Sequence, residues 1–215
     1  MKRLTEQQAL AQMQSVKAAY KSHIIKVYEP AALACKSCPN AGVCCTDAHF
    51  VNVHITRLEA IAMRETLERT PRLTHDERRA IYRRAAATVA RHNLRLHGDT
   101  FQQTYSCPLF EPGVGCVVHR RAKPAPCIQH ACYDNWEDVP PLALQWRTEH
   151  RIEQLNRQVY GSSWAWPPTP LWLTLVDPED EGRALGEHAG EWSKARPAAQ
   201  KVLRSLPGSI RKSER

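Results

Sequence analysis

The chain has 215 residues, eight cysteines and a formal net charge of +8. A chain of this length can bury a sizeable core, so it does not depend on disulfides as a mini-protein does. The charge permits an acidic partner such as nucleic acid. However, the arginines are interspersed with acidic residues along predicted helices, which is more typical of a solvated basic face.

The start of the chain is basic but has no apolar run behind it, so we expect no secretory signal. No stretch of the sequence approaches the length of a membrane span. We therefore expect a cytoplasmic protein without membrane contact. In that compartment thiols stay reduced, and clustered cysteines hold metal more often than they form disulfides.

Residues 1–30 predict an amphipathic helix that packs on or extends the domain and that Pro30 ends. Its apolar residues recur at three- and four-residue steps: Leu10, Met13, Val16, Tyr20, Ile24 and Val27.

The first cysteine group follows this helix and comprises Cys35, Cys38, Cys44 and Cys45. The spacing of Cys35 and Cys38 lets one tight turn offer two thiolates to one ion. Successive side chains usually diverge, so we expect Cys44 and Cys45 to serve two metals or two irons of one cluster. The alternative is that one of them is a ligand and the other is packed or redox-active.

Two helices are predicted between the cysteine groups, after an alternating stretch, Phe50–Ile55, that indicates a short strand or extended segment. Each begins with a capping box, Thr56 with Glu59 and Thr74 with Glu77. The first should run to about Arg69 and the second should end at Gly98. One face of the second carries Ile81, Ala85, Val89, His92 and Leu96, with His92 expected to be packed.

The second cysteine group comprises Cys107, Cys116, Cys127 and Cys132. Prolines and glycines crowd most of its gaps, which predicts irregular structure, and Cys116–His119 is the part that resembles a strand. Such loops contain too few apolar side chains for a hydrophobic core to hold them. Metal–thiolate bonds can hold them, because their binding energy becomes folding energy.

A further helix is predicted from Pro141 to Tyr160, ended by Gly161. Its candidate buried residues are Leu142, Leu144, Trp146, Ile152, Leu155 and Val159. Residues 161–193 form a Pro/Trp-rich segment expected to wrap the domain, and residues 194–215 a basic tail expected to be disordered. The fold class is therefore a small, mainly α metal-binding domain, residues 31–160, with irregular cysteine-rich loops and little or no sheet.

Eight thiolates can complete two tetrahedral zinc sites, or one cubane iron–sulfur cluster with four thiols left over. The sequence leaves open which metal is bound, how many ions there are, and whether His119 or His130 also coordinates. The negative charge of such a centre can be offset in part by nearby basic residues: Lys36, Arg120, Arg121 and Lys123.

The cysteine motifs follow one another in a specific order: Cys35-x2-Cys38-x5-Cys44-Cys45, Val51-x-Val53-x-Ile55-Thr56-x-x-Glu59, Cys107-Pro-Leu-Phe110, Gly115-Cys116-x-Val118 and Lys123-Pro124-x-x-Cys127. This order resembles the YkgJ-like cysteine-cluster family of zinc- or iron-chelating proteins, over roughly Cys35 to Cys132. The resemblance implies metal chelation by these cysteines. His119 stands where the family usually has tyrosine, Lys123 where it usually has arginine, and the loop from Cys116 to Cys127 is one residue longer.

We therefore expect a metal-chelating protein that binds zinc or an iron–sulfur cluster through two converging cysteine loops, in a structural or redox role. One alternative is an enzyme that uses the cluster, such as a protein methyltransferase, because a flagellin lysine methylase contains a related cysteine pattern. No catalytic motif is recognised in the sequence. The other is a basic zinc module for nucleic acid, although the spacing of a zinc finger is missing. A protein partner and the oligomeric state are left open.

Overall fold

The computed structural model describes residues 3–33, 42–46, 52–96, 103–161 and 166–180. Its helices are α1 (Glu6–Val27), α2 (Val43–Thr46), α3 (Arg57–Arg69), α4 (His75–His92), α5 (Ala125–Gln129), α6 (Leu142–Tyr160) and α7 (Thr169–Leu175). Strands β1 (Phe110–Glu111) and β2 (Gly115–Cys116) pair antiparallel. The prediction of a mainly α fold with little sheet is confirmed. The predicted disordered tail, 194–215, lies outside the described residues.

Both predicted capping boxes are present. The Thr56 side chain accepts from the Glu59 amide while the Glu59 carboxylate accepts from the Thr56 amide, and Thr74 and Glu77 do the same at the start of α4. These reciprocal bonds satisfy amide groups that the first helical turn leaves without partners. The first turn of α1 is closed in the same way by Thr5 with a glutamine, Gln8.

The predicted helix ends are right in part. Helix α3 ends at Arg69 as predicted, and Gly161, with φ at 80°, ends α6. Helix α4 stops earlier than predicted, at His92, because Asn93 adopts a left-handed conformation with φ at 48°. Gly98, the predicted terminator, lies outside the described residues.

Helix α1 packs against α3, α5 and α6. Four residues of the predicted apolar stripe are buried: Leu10, Met13, Tyr20 and Ile24. Val27 is 50% exposed, so its predicted burial is wrong. The buried face also includes Lys17. A charged residue is not identified by a search for regularly spaced apolar residues. The helix ends at Val27, before Pro30, which lies in a following 3-10 turn, Glu29–Ala31.

The C-terminal part of the described chain contains a helix where the sequence predicted none. Helix α7 packs against α3 and α4. Trp172 is fully buried, and its indole N–H donates to the Ile55 carbonyl at 2.8 Å. Pro168 and Pro170 stand at the helix start, where a missing amide hydrogen removes no intrahelical bond. The prolines that suggested irregular structure therefore begin a helix.

The extended segment before α3 lies along the start of α7. The amide of Thr169 donates to the Val53 carbonyl at 2.8 Å, and His54 forms an isolated antiparallel bridge with Pro168. The alternating stretch is thus an extended lead-in rather than a strand of a sheet. The predicted strand Cys116–His119 is also wrong beyond its first residue, because the chain turns after Cys116.

Predicted helix α6 is confirmed within one residue of its expected start. Ile152 and Leu155 are buried as predicted, whereas Leu142, at the first helical position, is 56% exposed. Within the described ranges, no helix has both the length and the apolar character needed to cross a bilayer.

Helix α6 also places a carboxyl group, Glu149, against α1 and α3. Gln145 donates to Glu149 Oε1 at 3.0 Å. Burial raises the pKa of Glu149 to about 7, and the negative charge of Glu59 contributes to the increase. A carboxyl that is neutral in the folded state at mildly acidic pH is a source of pH-dependent stability.

We expect Glu149→Gln to stabilise the protein in a pH-dependent manner. The unfolded carboxyl ionises near 4.5 and the folded one near 7, so wild-type stability falls as pH rises through this window. The variant lacks this loss and should gain about 3 kcal/mol at pH 8 relative to pH 4. Thermal unfolding at both pH values measures the difference. Glu137→Gln, which removes an exposed carboxylate, is the control, and equal shifts for both variants would contradict the assignment.

Candidate metal centre

Six of the eight predicted ligands lie among the described residues. Cys44 and Cys45 are in α2, Cys116 ends β2 and Cys127 is in α5. Cys107 precedes β1, and Cys132 follows α5. Cys35 and Cys38 lie outside the described residues. Among those described, no disulfide joins two cysteines.

The end of the first cysteine group lies against the start of the second. The Cys107 amide donates to the Cys45 carbonyl at 2.8 Å. The Ser106 hydroxyl donates to the Thr46 carbonyl beside it. Two adjacent residues of the second loop are therefore held to the end of α2.

The end of the second group meets the residues that precede the first. The Leu33 amide donates to the Cys132 carbonyl at 2.8 Å, and Ala32 and Tyr133 form an antiparallel bridge. Leu33 precedes Cys35 by two residues in the chain. The second group therefore begins beside Cys45, at the end of the first group. It ends beside Leu33, which precedes the first group.

Four thiols from both groups lie within electrostatic reach of one another, and we refer to Cys45, Cys107, Cys116 and Cys127 as the four-thiol group. Burial raises the pKa of Cys45 to about 12, with smaller increases from the charges of Cys44 and Cys116. Burial also raises the pKa of Cys107, and the other three members add to this increase. Such mutual effects require short separations, because the interaction falls with distance.

Cys127 and Cys116 complete the group from the second loop. Burial raises the pKa of the Cys127 thiol to about 12, and the charges of Cys116 and Cys45 contribute to the increase. Burial likewise raises the pKa of Cys116, against hydrogen bonding from the Val118 backbone. In the absence of a cation all four thiols are therefore stable in the neutral form.

The expectation that Cys44 and Cys45 diverge is wrong, because their Sγ atoms lie 4.0 Å apart. Both belong to the short helix α2, whose backbone turns between them. Four thiolates around zinc at 2.3 Å would be separated by about 3.8 Å at tetrahedral geometry. Adjacency in the sequence therefore does not prevent the two thiols from approaching a common ion.

Gly42 and Phe110 form a third contact between the cysteine loops. Gly42 precedes α2 and has φ at 88°, a conformation that residues with a Cβ rarely adopt. The Phe110 ring of β1 occupies the space that a Cβ at position 42 would fill. The ring thus packs directly on the backbone that leads into α2, the helix that carries Cys44 and Cys45.

Two positively charged side chains lie within electrostatic reach of the four-thiol group. Lys123, which the sequence indicated, lowers the pKa of Cys45, Cys116 and Cys127 against the effect of burial. Arg72 acts on Cys116 in the same direction. Sequence reasoning missed Arg72, because it lies in the connection between α3 and α4 and carries no motif. Arg120 and Arg121 are exposed, and Lys36 lies outside the described residues.

Helix α4 supports the second loop directly. The Arg84 guanidinium donates to the Pro108 carbonyl at 3.0 Å and lies 3.5 Å from a Glu111 carboxylate oxygen. Pro108 follows Cys107, so this contact fixes the loop next to a member of the four-thiol group. The second capping-box helix, α4, is thus part of the frame around the thiols.

The two histidines differ in position. His119 is exposed, and its pKa is lowered by partial burial and by the positive charge of Lys123. His130 is half-buried at the end of α5, and burial lowers its pKa. As the described side chains stand, no three of His, Cys, Asp or Glu enclose a position for an ion. Coordination by either histidine stays a prediction.

The donor chemistry of the four-thiol group fits a soft metal ion. Thiolates are the ligands that zinc and iron–sulfur clusters take in proteins. A cation reverses the preference of a buried thiol for its proton, since the thiolate then gains a charge partner. No protein-family model, curated protein or solved structure matches the chain. The assignment of function therefore rests on these residues.

We expect Gly42→Ala to destabilise the protein more than Gly113→Ala. Both glycines have positive φ, and alanine there should cost about 1 kcal/mol. A Cβ at position 113 meets no atom within 4 Å, whereas at position 42 it overlaps the Phe110 ring. The overlap should add about 2 kcal/mol. Denaturant unfolding measures both variants, and equal losses would show that the Gly42–Phe110 contact does not hold the loops together.

Proposed function

We propose that the protein chelates zinc or an iron–sulfur cluster through two converging cysteine loops, in a structural or redox role. The observation that carries this proposal is the four-thiol group, in which Cys45 from the first loop lies within electrostatic reach of three thiols of the second. Cysteines that served only as small core residues would have no reason to gather from two distant parts of the chain.

The second loop is held by hydrophobic burial as well as by hydrogen bonds, which corrects the expectation that it has too few apolar side chains. Although residues 103–124 contain only turns and the two-residue strands β1 and β2, five of their apolar residues are buried: Tyr105, Leu109, Val117, Val118 and Ala122. Metal–thiolate bonds would add binding energy to this frame, and that energy would stabilise the fold further.

The remaining thiols are candidate ligands of a second ion. Cys44 lies beside the four-thiol group, and Cys132 lies where the second loop returns to the residues before Cys35. With Cys35 and Cys38 they complete the set of eight predicted ligands. Two zinc ions would use all eight, and one cubane cluster would use four.

Elemental analysis and visible absorption of anaerobically purified protein test the proposal. We expect bound metal: a brown protein with broad visible absorption contains an iron–sulfur cluster, and a colourless metalloprotein contains zinc. A folded, metal-free protein whose thiols are paired in disulfides would contradict the proposal.

Cys45→Ser and Cys44→Ser form a matched pair, since the two residues are adjacent in α2. Cys45→Ser should remove most of the metal and lower the melting temperature, because the serine hydroxyl replaces a thiolate of the four-thiol group. Cys44→Ser should retain more metal. Metal content per folded chain, with circular dichroism to confirm folding, measures both. Wild-type metal content in Cys45→Ser would remove Cys45 from the predicted ligands.

A further inference from the structure

Helix α4 is rich in arginine and lacks acidic residues after its first turn. Its two acidic residues, Asp76 and Glu77, lie at the start, where Glu77 closes the capping box. Residues 78–98 then contain six arginines and no aspartate or glutamate. The expected mixture of arginines with acidic residues is therefore wrong for most of this helix, and its positive charge is not cancelled by its own sequence.

Three of the six arginines have partners within the fold. Arg79 pairs with Asp177, which follows α7, and Arg84 donates to the Pro108 carbonyl of the second cysteine loop. Arg78 donates to a backbone carbonyl just before the helix. These three contacts fix α4 to its neighbours.

The other three arginines, Arg83, Arg91 and Arg95, are exposed. Within the described ranges of the chain, the guanidinium groups of Arg83 and Arg91 form no ion pair and no hydrogen bond. The Arg95 side chain donates to the side-chain oxygen of Asn93 at 3.1 Å, and that oxygen carries no net charge. The positive charge of all three is thus turned to solvent.

Two exposed arginines on other helices are paired with a carboxylate of their own helix. Arg69 lies 3.4 Å from a Glu65 oxygen in α3, and Arg157 contacts Glu153 in α6, each at a spacing of four residues. On α4, the positions four residues before and after Arg83 hold arginine and alanine instead. The charge on this helix is therefore available to an external anion.

The side chains between these arginines are small. Ala86, Ala87 and Ala90 are exposed on the same side of the helix as Arg83. Helical geometry places the Cα atoms of Arg83 and Arg91 about 12 Å apart, which lets their guanidinium groups contact separate phosphates. The exposed face of α4 thus combines separated positive charges with a surface that a partner can approach closely.

The composition of this face distinguishes between acidic partners. Helices that lie on anionic membranes insert large apolar side chains, and protein interfaces are anchored by aromatic or large apolar residues. Single-stranded nucleic acid is bound by stacking on aromatic side chains. From Arg83 to Arg95, however, the exposed residues are arginine, alanine and asparagine.

The phosphate backbone of a duplex is recognised through positive charge and shape, without apolar anchors. We infer that the exposed face of α4 binds the backbone of duplex nucleic acid through Arg83, Arg91 and Arg95. This inference goes beyond the proposed function and does not depend on a bound metal.

The test measures fluorescence anisotropy of a short labelled DNA duplex of mixed sequence, titrated with the full-length protein between about 50 and 200 mM salt. The test variant is Arg83→Gln/Arg91→Gln, and Arg69→Gln/Arg157→Gln is its control. Both remove two exposed positive charges, and glutamine is as good a helix former as arginine. Circular dichroism and metal content, both expected to match wild type, confirm that the variants are intact.

We expect wild-type affinity for the duplex to fall steeply with salt. The test variant should bind about 10-fold or more weakly at the lowest salt and should reduce the slope of log affinity against log salt by about two. The control should bind within about threefold of wild type, because charges beyond the contact are screened.

A wild-type protein that binds no duplex, or an equal loss of affinity in the control, would overturn the inference and leave the proposed function intact. Tighter binding to the corresponding single strand or to phosphatidylserine vesicles, lost in the test variant, would overturn it as well by assigning the face to that partner.

Discussion

The hydrogen bond from the Cys107 amide to the Cys45 carbonyl is the contact on which the site depends. It joins two loops that are distant in sequence. The bond from Leu33 to Cys132 joins the end of the second loop to the residues that precede the first. These two contacts bring Cys45 of the first loop beside the second loop, which carries the other three thiols of the four-thiol group.

The helices hold this arrangement by polar as well as apolar contacts. The first turn of α3 and the buried lysine of α1 share one carboxylate, Glu59. Tyr20 of α1 donates to Gln129 Oε1 of α5 at 2.5 Å, two residues after Cys127. Gln129 in turn donates to the Pro140 carbonyl, close to the start of α6. The helix that carries Cys127 is thus fixed to α1 by hydrogen bonds as well as by packing.

Local signals were sufficient to predict much of the helical frame. Capping boxes at Thr56 and Thr74 and the glycine at position 161 act through neighbouring residues, so the sequence shows them directly. Helix α7 was missed because prolines usually break helices, although those at its start are compatible with the first turn. Asn93 ended α4 early, and asparagine commonly ends a helix in the left-handed conformation, so this signal was present in the sequence but the later Gly98 was predicted instead.

The candidate site was predictable in its residue types but not in its geometry. Clustered cysteines indicated a site, and their spacing could not show which of them approach one another. The 4.0 Å separation of the Cys44 and Cys45 sulfurs depends on the helical turn of α2. The burial of Lys17 depends on Glu59, a partner on another helix, and sequence periodicity gives no signal for such a pair.

X-ray absorption at the edge of the bound metal tests most directly whether the two cysteine groups form one thiolate centre. We expect a nearest shell made of sulfur at about 2.3 Å. A nearest shell of nitrogen and oxygen alone would contradict it.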